Sequence, residues 1–139
     1  MSNTYRELTL PAEVERLPEV LSFIEEQLEQ LRCPLKTQME ISVAAEEVYV
    51  NIASYAYAPD TGTATIRMAC TEDPAAVTLT FLDSGIPFNP LEREDPDLSL
   101  PVEEREIGGL GILMVKKTMD EAHYERVDGQ NILTLTKRI

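Results

Sequence analysis

Three patterns in this 139-residue chain predict an α+β fold, a two-layer sandwich with helices on one face of a mixed, mainly antiparallel sheet. Long stretches repeat apolar residues at helical spacing. Shorter stretches, bounded by turn residues, alternate apolar with polar ones as half-buried strands do. The strands come in groups and do not alternate one-to-one with helices, which separates α+β from a regularly alternating order. No internal repeat or low-complexity segment divides the chain, so it reads as one domain over 1–139.

The opening strand is Tyr5 to Leu10. In the first helix, Leu17, Val20, Leu21, Ile24, Leu28 and Leu31 share one face, and Glu25, Glu26, Glu29 and Gln30 lie elsewhere around it. It is expected to stop near Cys33-Pro34, because proline disfavours helical geometry in the residue before it. Thr37-Gln-Met-Glu40 has the form of a capping box and predicts the start of a second helix. The stripe of that helix is Ile41, Ala44, Ala45, Val48, Ile52 and Ala56, ending before Pro59-Asp60-Thr61-Gly62. Thr63 to Thr71 and Ala76 to Leu82 form a strand pair around Glu72-Asp73-Pro74. The polar, acidic stretch 91–107 is a loop, followed by a third helix from Leu110 to Met119. Two last strands, Glu121 to Arg126 and Gln130 to Lys137, flank Asp128-Gly129, a hairpin signal.

Composition limits the partners. Hydrophobic residues make up 43% of the chain, enough for a real core. Twenty-five acids against twelve Lys and Arg give a net charge of −13, which disfavours nucleic acid and anionic membrane. No run of 18 apolar residues occurs, and Met1-Ser-Asn-Thr-Tyr-Arg lacks an apolar leader core, so a cytoplasmic location is expected. Cys33 and Cys70 have no metal-type spacing and read as buried thiols. His123, the only histidine, has no second ligand or nucleophile nearby in sequence and reads as structural.

Three separated segments carry the chemistry. Glu47 and Asn51 lie one helical turn apart on one face. The carbonyl oxygen of Asn51 suits Mg²⁺, and Glu47 suits a general base that takes a proton from an attacking hydroxyl. Asp83 ends an apolar strand before Ser84-Gly85-Ile86-Pro87-Phe88, where its carboxylate can accept from an adenine amino group and Gly85 permits close backbone approach. Gly108-Gly109-Leu110-Gly111 opens a helix whose free N–H groups favour phosphates. No Gly-Lys-Ser/Thr follows, so it is not a Walker A motif.

In this order the segments resemble the GHKL (Bergerat-fold) ATPase superfamily, and within it the anti-sigma-factor serine/threonine kinases of bacterial partner-switching systems. Glu47-x-x-x-Asn51 is similar to the family's N-box and Asp83-x-Gly85-x-Pro87-Phe88 to its adenine box. Gly109-x-Gly111 is similar to its second glycine box, and Gly129 to Lys137 to its closing strand. The resemblance implies ATP and Mg²⁺ as cofactors, with Asn51 as metal ligand and Glu47 as catalytic base. It makes 91–107 the ATP lid, with Arg105 a candidate γ-phosphate contact and Asn131 a candidate contact at the adenine end. It also implies a STAS-domain anti-anti-sigma protein as substrate, a sigma factor as candidate second partner and a homodimer as candidate assembly. Tyr55 stands where the family often has histidine. A non-catalytic ATP-dependent partner switch, or an ATPase module of a sensor kinase, are the alternatives.

Overall fold

The structure is a computed structural model that describes residues 5–58, 60–71, 75–92 and 109–139. Five strands, β1 (Tyr5–Pro11), β2 (Thr63–Thr71), β3 (Ala76–Asp83), β4 (Glu121–Val127) and β5 (Gln130–Arg138), form one sheet in the order β1-β2-β3-β5-β4. Where a mixed sheet was expected, all four pairings are antiparallel. Both hairpins, β2–β3 and β4–β5, pair neighbours in sequence and are antiparallel for that reason, and the helix-bearing connections return β2 beside β1 and β5 beside β3 in the antiparallel sense as well. Asp128 and Gly129 have φ of 49° and 79°, the geometry of the expected tight turn between β4 and β5.

Alternation decides the faces. Ala64, Ile66 and Met68 on β2, Val77, Leu79 and Phe81 on β3, and Leu133 and Leu135 on β5 are buried in one core. The threonines between them (Thr65, Thr78, Thr80, Thr134, Thr136) form the opposite, helix-free face. Against the apolar face pack α1 (Leu17–Gln30), α2 (Leu35–Asn51) and α3 (Gly109–Thr118). Each fully buried aliphatic or aromatic side chain contributes about 1.5–3 kcal/mol.

The helix ends differ from expectation in instructive ways. Proline does not by itself stop α1. Arg32 takes a left-handed φ of 56°, Cys33 N–H donates to Leu28 O (3.1 Å) and Arg32 N–H to Glu29 O (3.0 Å). This is a Schellman ending built without glycine, with Pro34 just beyond it. The expected Thr37–Glu40 capping box is absent, because α2 already starts at Leu35 with Pro34 as its cap residue. Glu40 instead faces Lys137 at 3.8 Å. At its other end α2 widens into a π-helical turn, Ile52–Ala56, a feature frequent at functional sites. The sequence also gave no hint of the role of Tyr49, fully buried on α2, whose hydroxyl donates to Glu13 O (2.7 Å) and accepts from Glu13 N–H (3.2 Å).

Cys33 and Cys70 are free, as expected, and burial pushes both thiols up in pKa, keeping them protonated. No helix among the described residues is long and apolar enough to cross a membrane.

Candidate nucleotide site

A cavity of about 270 Å³ opens between the end of α2 and the β3–β5 end of the sheet. Its walls are mostly apolar: Ile52, Tyr55 and Ala56 from the π-turn, Ile86 and Phe88 from the segment after β3, and Leu133 from β5. Asn51, Asp83 and Asn131 place polar atoms in it. An apolar slot with a few convergent polar groups is the usual form of a small-molecule site.

The segment after β3 is held by backbone geometry. The π-turn leaves Ala56 O without a helical partner, and Ile86 N–H donates to it at 2.9 Å. A Cβ on residue 85 would stand 2.2 Å from Ala56 O and 2.7 Å from Ala56 Cβ. The close approach that requires glycine at 85 is therefore to the protein's own helix end. Arg126 reaches across from β4 and donates to Gly85 O (2.8 Å).

Asp83 and Asn131 form the polar centre. Directly opposite each other in the β3–β5 register, both are only 6% exposed. Asp83 Oδ1 accepts from Gly85 N–H and from Asn131 Nδ2, each at 2.9 Å. Asn131 Nδ2 also donates to Ile86 O (2.7 Å), and its Oδ1 accepts from Phe88 N–H (3.2 Å) and from the Tyr124 hydroxyl. All four hydrogen-bonding positions of the Asn131 amide are thus taken by protein. Its part is to hold Asp83 and the 85–88 segment; the direct nucleotide contact expected of it would have to break one of these bonds. Asp83 Oδ2 accepts no hydrogen bond among the described residues and is the carboxylate oxygen left for a ligand in the cavity.

At the other end, Glu47 and Asn51 come together as the spacing requires: Asn51 Nδ2 donates to Glu47 Oε1 at 3.3 Å. That bond turns the amide so that its carbonyl oxygen remains available to a cation. Glu47 is half-buried at the rim, outside the residues lining the cavity, and Glu46 is exposed. Among the described residues no cluster of three or more His, Cys, Asp and Glu could hold a metal alone. The donor set thus fits Mg²⁺ held chiefly by phosphates and water, with one protein oxygen added.

Gly109, Leu110 and Gly111 form the first turn of α3, which begins one residue earlier than expected. Gly108, Arg105 and most of the expected lid lie outside the described residues. Pro90–Glu92 forms a 3-10 turn where that loop was expected to begin. His123 is exposed on edge strand β4. Tyr124, Arg126 and the Ala56 carbonyl were missed in the sequence. Counting out from the Asp128-Gly129 turn would have found the first two, since it pairs Arg126 with Asn131 and Tyr124 with Leu133.

The family profile of the histidine kinase-like ATPase domain matches residues 10–137. The chain belongs to that family. It is similar to the serine/threonine-protein kinase BtrW of Bordetella bronchiseptica, 29% identical over 105 residues, covering 76% of this chain and 73% of BtrW. It is also similar to the serine-protein kinase RsbW of Bacillus cereus, 29% identical over 102 residues, covering 72% of this chain but only 63% of RsbW. Among solved structures, the RsbU and RsbW domains of Rv1364c from Mycobacterium tuberculosis superpose with a TM-score of 0.69 at 20% identity, over 97% of this chain and 32% of that one. The SiaB–SiaC complex from Pseudomonas aeruginosa gives 0.55 at 20% identity, covering 95% of this chain and 89% of the other. These two likenesses concern the fold.

Proposed function

We propose that this histidine kinase-like ATPase domain is a protein serine/threonine kinase. In this reading it uses Mg-ATP to phosphorylate a STAS-domain anti-anti-sigma protein and so regulates a sigma factor. The observation that carries the reading is the Glu47–Asn51 pair. A carboxylate one turn from a candidate metal ligand, at the rim of an apolar slot, is where an incoming hydroxyl would meet a γ-phosphate. The similarity to BtrW and RsbW, both named as protein kinases, supports the same reading.

Bound Mg-ATP supplies the phosphoryl group and the charge neutralisation that such transfers need. The chain supplies position and a base. Asp83 Oδ2 would accept from the adenine amino group, Asn51 Oδ1 would hold the metal, and the first-turn N–H groups of α3 would face phosphate. Glu47 takes the proton of the acceptor hydroxyl as its oxygen bonds to phosphorus and the bond to the ADP leaving group breaks. In the cytoplasm both Mg-ATP and the reducing conditions suited to two free thiols are available.

Incubation of the purified protein with Mg-ATP and a STAS partner should add one phosphate to a serine or threonine of the partner, read by mass spectrometry. A tight ATP-dependent complex that stays unphosphorylated would instead make the chain a nucleotide-dependent binding module.

A further inference from the structure

The solvent side of α2 carries a feature that nucleotide binding does not use. Leu35, Met39 and Val43 follow at four-residue spacing, so they stack along one helix face. The same spacing continues to Glu47 and Asn51. The row spirals as it goes: each step of four turns about 40° around the helix, so Val43 is the apolar neighbour nearest Glu47, and Leu35 lies about 120° round from it.

Leu35 is 72% exposed and Met39 60%, while Val43, and Met114 on α3, are half-exposed. With Lys36 and Thr118 these residues line a shallow groove of about 430 Å³ between α2 and α3. Lys137 fixes the register of the two helices here, donating to Thr118 O at 2.6 Å and facing Glu40 at 3.8 Å. Four adjacent large apolar side chains left in water mark an interaction surface. Two are methionines, whose unbranched thioethers adapt to a partner's shape.

Resting on the kinase reading above, we propose that this row and Met114 are the docking platform for the acceptor protein, seating an apolar side chain of the partner so that its hydroxyl arrives at Glu47. Distances suit this. At 1.5 Å per residue, Val43 stands about 6 Å along the helix from Glu47 and Leu35 about 18 Å. A standard interface buries about 800 Å² per partner, a patch roughly 30 Å across, so one partner surface spans both groove and acid. Charge narrows the partner further. Glu46 and Glu47 make one end of the helix acidic, whereas at the groove Glu40 is offset by Lys137 at 3.8 Å, Lys36 lines the wall and Lys117 is exposed beside Thr118. The fitting partner is a folded protein, apolar at the centre of its contact surface, uncharged or basic beside its acceptor hydroxyl, and acidic at the opposite edge. A second copy of this chain would bring together two chains of net charge −13 each.

The test uses Met39→Glu and Leu35→Glu, both more than a Debye length from Glu47 along the helix. Each should leave Mg-ATP affinity unchanged by calorimetry. Each should raise KM for the STAS acceptor roughly ten-fold or more, with kcat within about three-fold of wild type. Leu35→Ser and Met39→Ser keep the test alive if a new charge disturbs folding, as read by circular dichroism. An unchanged KM in these variants overturns the proposal and leaves the kinase reading standing. If wild type binds the acceptor without phosphorylating it, the kinase reading fails, and the Kd of the complex in the same variants decides the groove. Conversion of a dimer to monomer, with acceptor KM unchanged, would overturn the proposal in favour of self-association.

Discussion

The two ends of the candidate nucleotide site are built differently. At the adenine end, Asp83 and Asn131 are buried, and Asn131 alone carries four hydrogen bonds to backbone and side chains. At the transfer end, Glu47 and Asn51 are half-buried and share one bond of 3.3 Å. The adenine end is ordered by protein bonds alone, because an imperfectly held buried carboxylate is costly in a low-dielectric pocket. The transfer end keeps open valences, which metal, phosphate and acceptor hydroxyl would fill. Substitutions at the first end should therefore change binding and stability together, and those at the second should change rate.

The largest expected effect is at the transfer end. Glu47→Gln should cut phosphoryl transfer by roughly 10²–10⁴-fold, the usual cost of losing a general base, with ATP affinity within a few fold. Asn51→Ala should instead weaken Mg²⁺-dependent ATP binding. Single-turnover transfer and calorimetry on both variants separate the roles. Wild-type transfer by Glu47→Gln would remove Glu47 as the base and make Glu46→Gln the next variant.

Asp83→Asn tests the other end more sharply than a simple loss. The Oδ1 position must remain an acceptor, because Gly85 N–H and Asn131 Nδ2 both donate to it. The new amide would therefore turn its NH₂ toward the cavity, donor against the donor of the adenine amino group. ATP affinity should fall by about 1.5–3 kcal/mol, about 10- to 100-fold. Inosine triphosphate, with a 6-oxo acceptor at that position, should lose much less. Equal losses for the two nucleotides in competition calorimetry would mean that Asp83 does not read the base.

How much of this was legible in the sequence depends on whether a feature is local. The Glu47–Asn51 pairing follows from helix periodicity alone, and the β4–β5 hairpin from Asp128-Gly129. The capping box at Thr37 failed because Pro34, pre-set for a helix entry, starts α2 two residues earlier. Asn131 was picked out, but its saturation by Ile86, Phe88 and Tyr124 depends on three segments meeting in space. Gly85 was expected to yield space to a ligand; the space belongs to Ala56, at the end of a π-turn that propensity does not signal. Tyr49 lies outside the apolar stripe read for its helix, and its hydroxyl, which ties α2 to the chain after β1, depends on where Glu13 falls in space.

Tyr124→Phe is the mildest test and the one that isolates how the adenine end is held. It removes one hydroxyl from Asn131 Oδ1, which keeps Phe88 N–H as a donor, so no buried acceptor is orphaned. The expected cost is about 0.5–1.5 kcal/mol of folding stability, read from the denaturant midpoint at constant m. If Asn131 acts by positioning Asp83, preference for ATP over inosine triphosphate should fall by a few fold in the same variant, while the transfer rate at saturating ATP stays near wild type. A stability loss with unchanged base preference would make the Tyr124–Asn131 bond purely structural. A slowed transfer step with intact binding would break the division between the two ends, because it would show that the hydrogen bonds around Asp83 reach as far as the reacting phosphate.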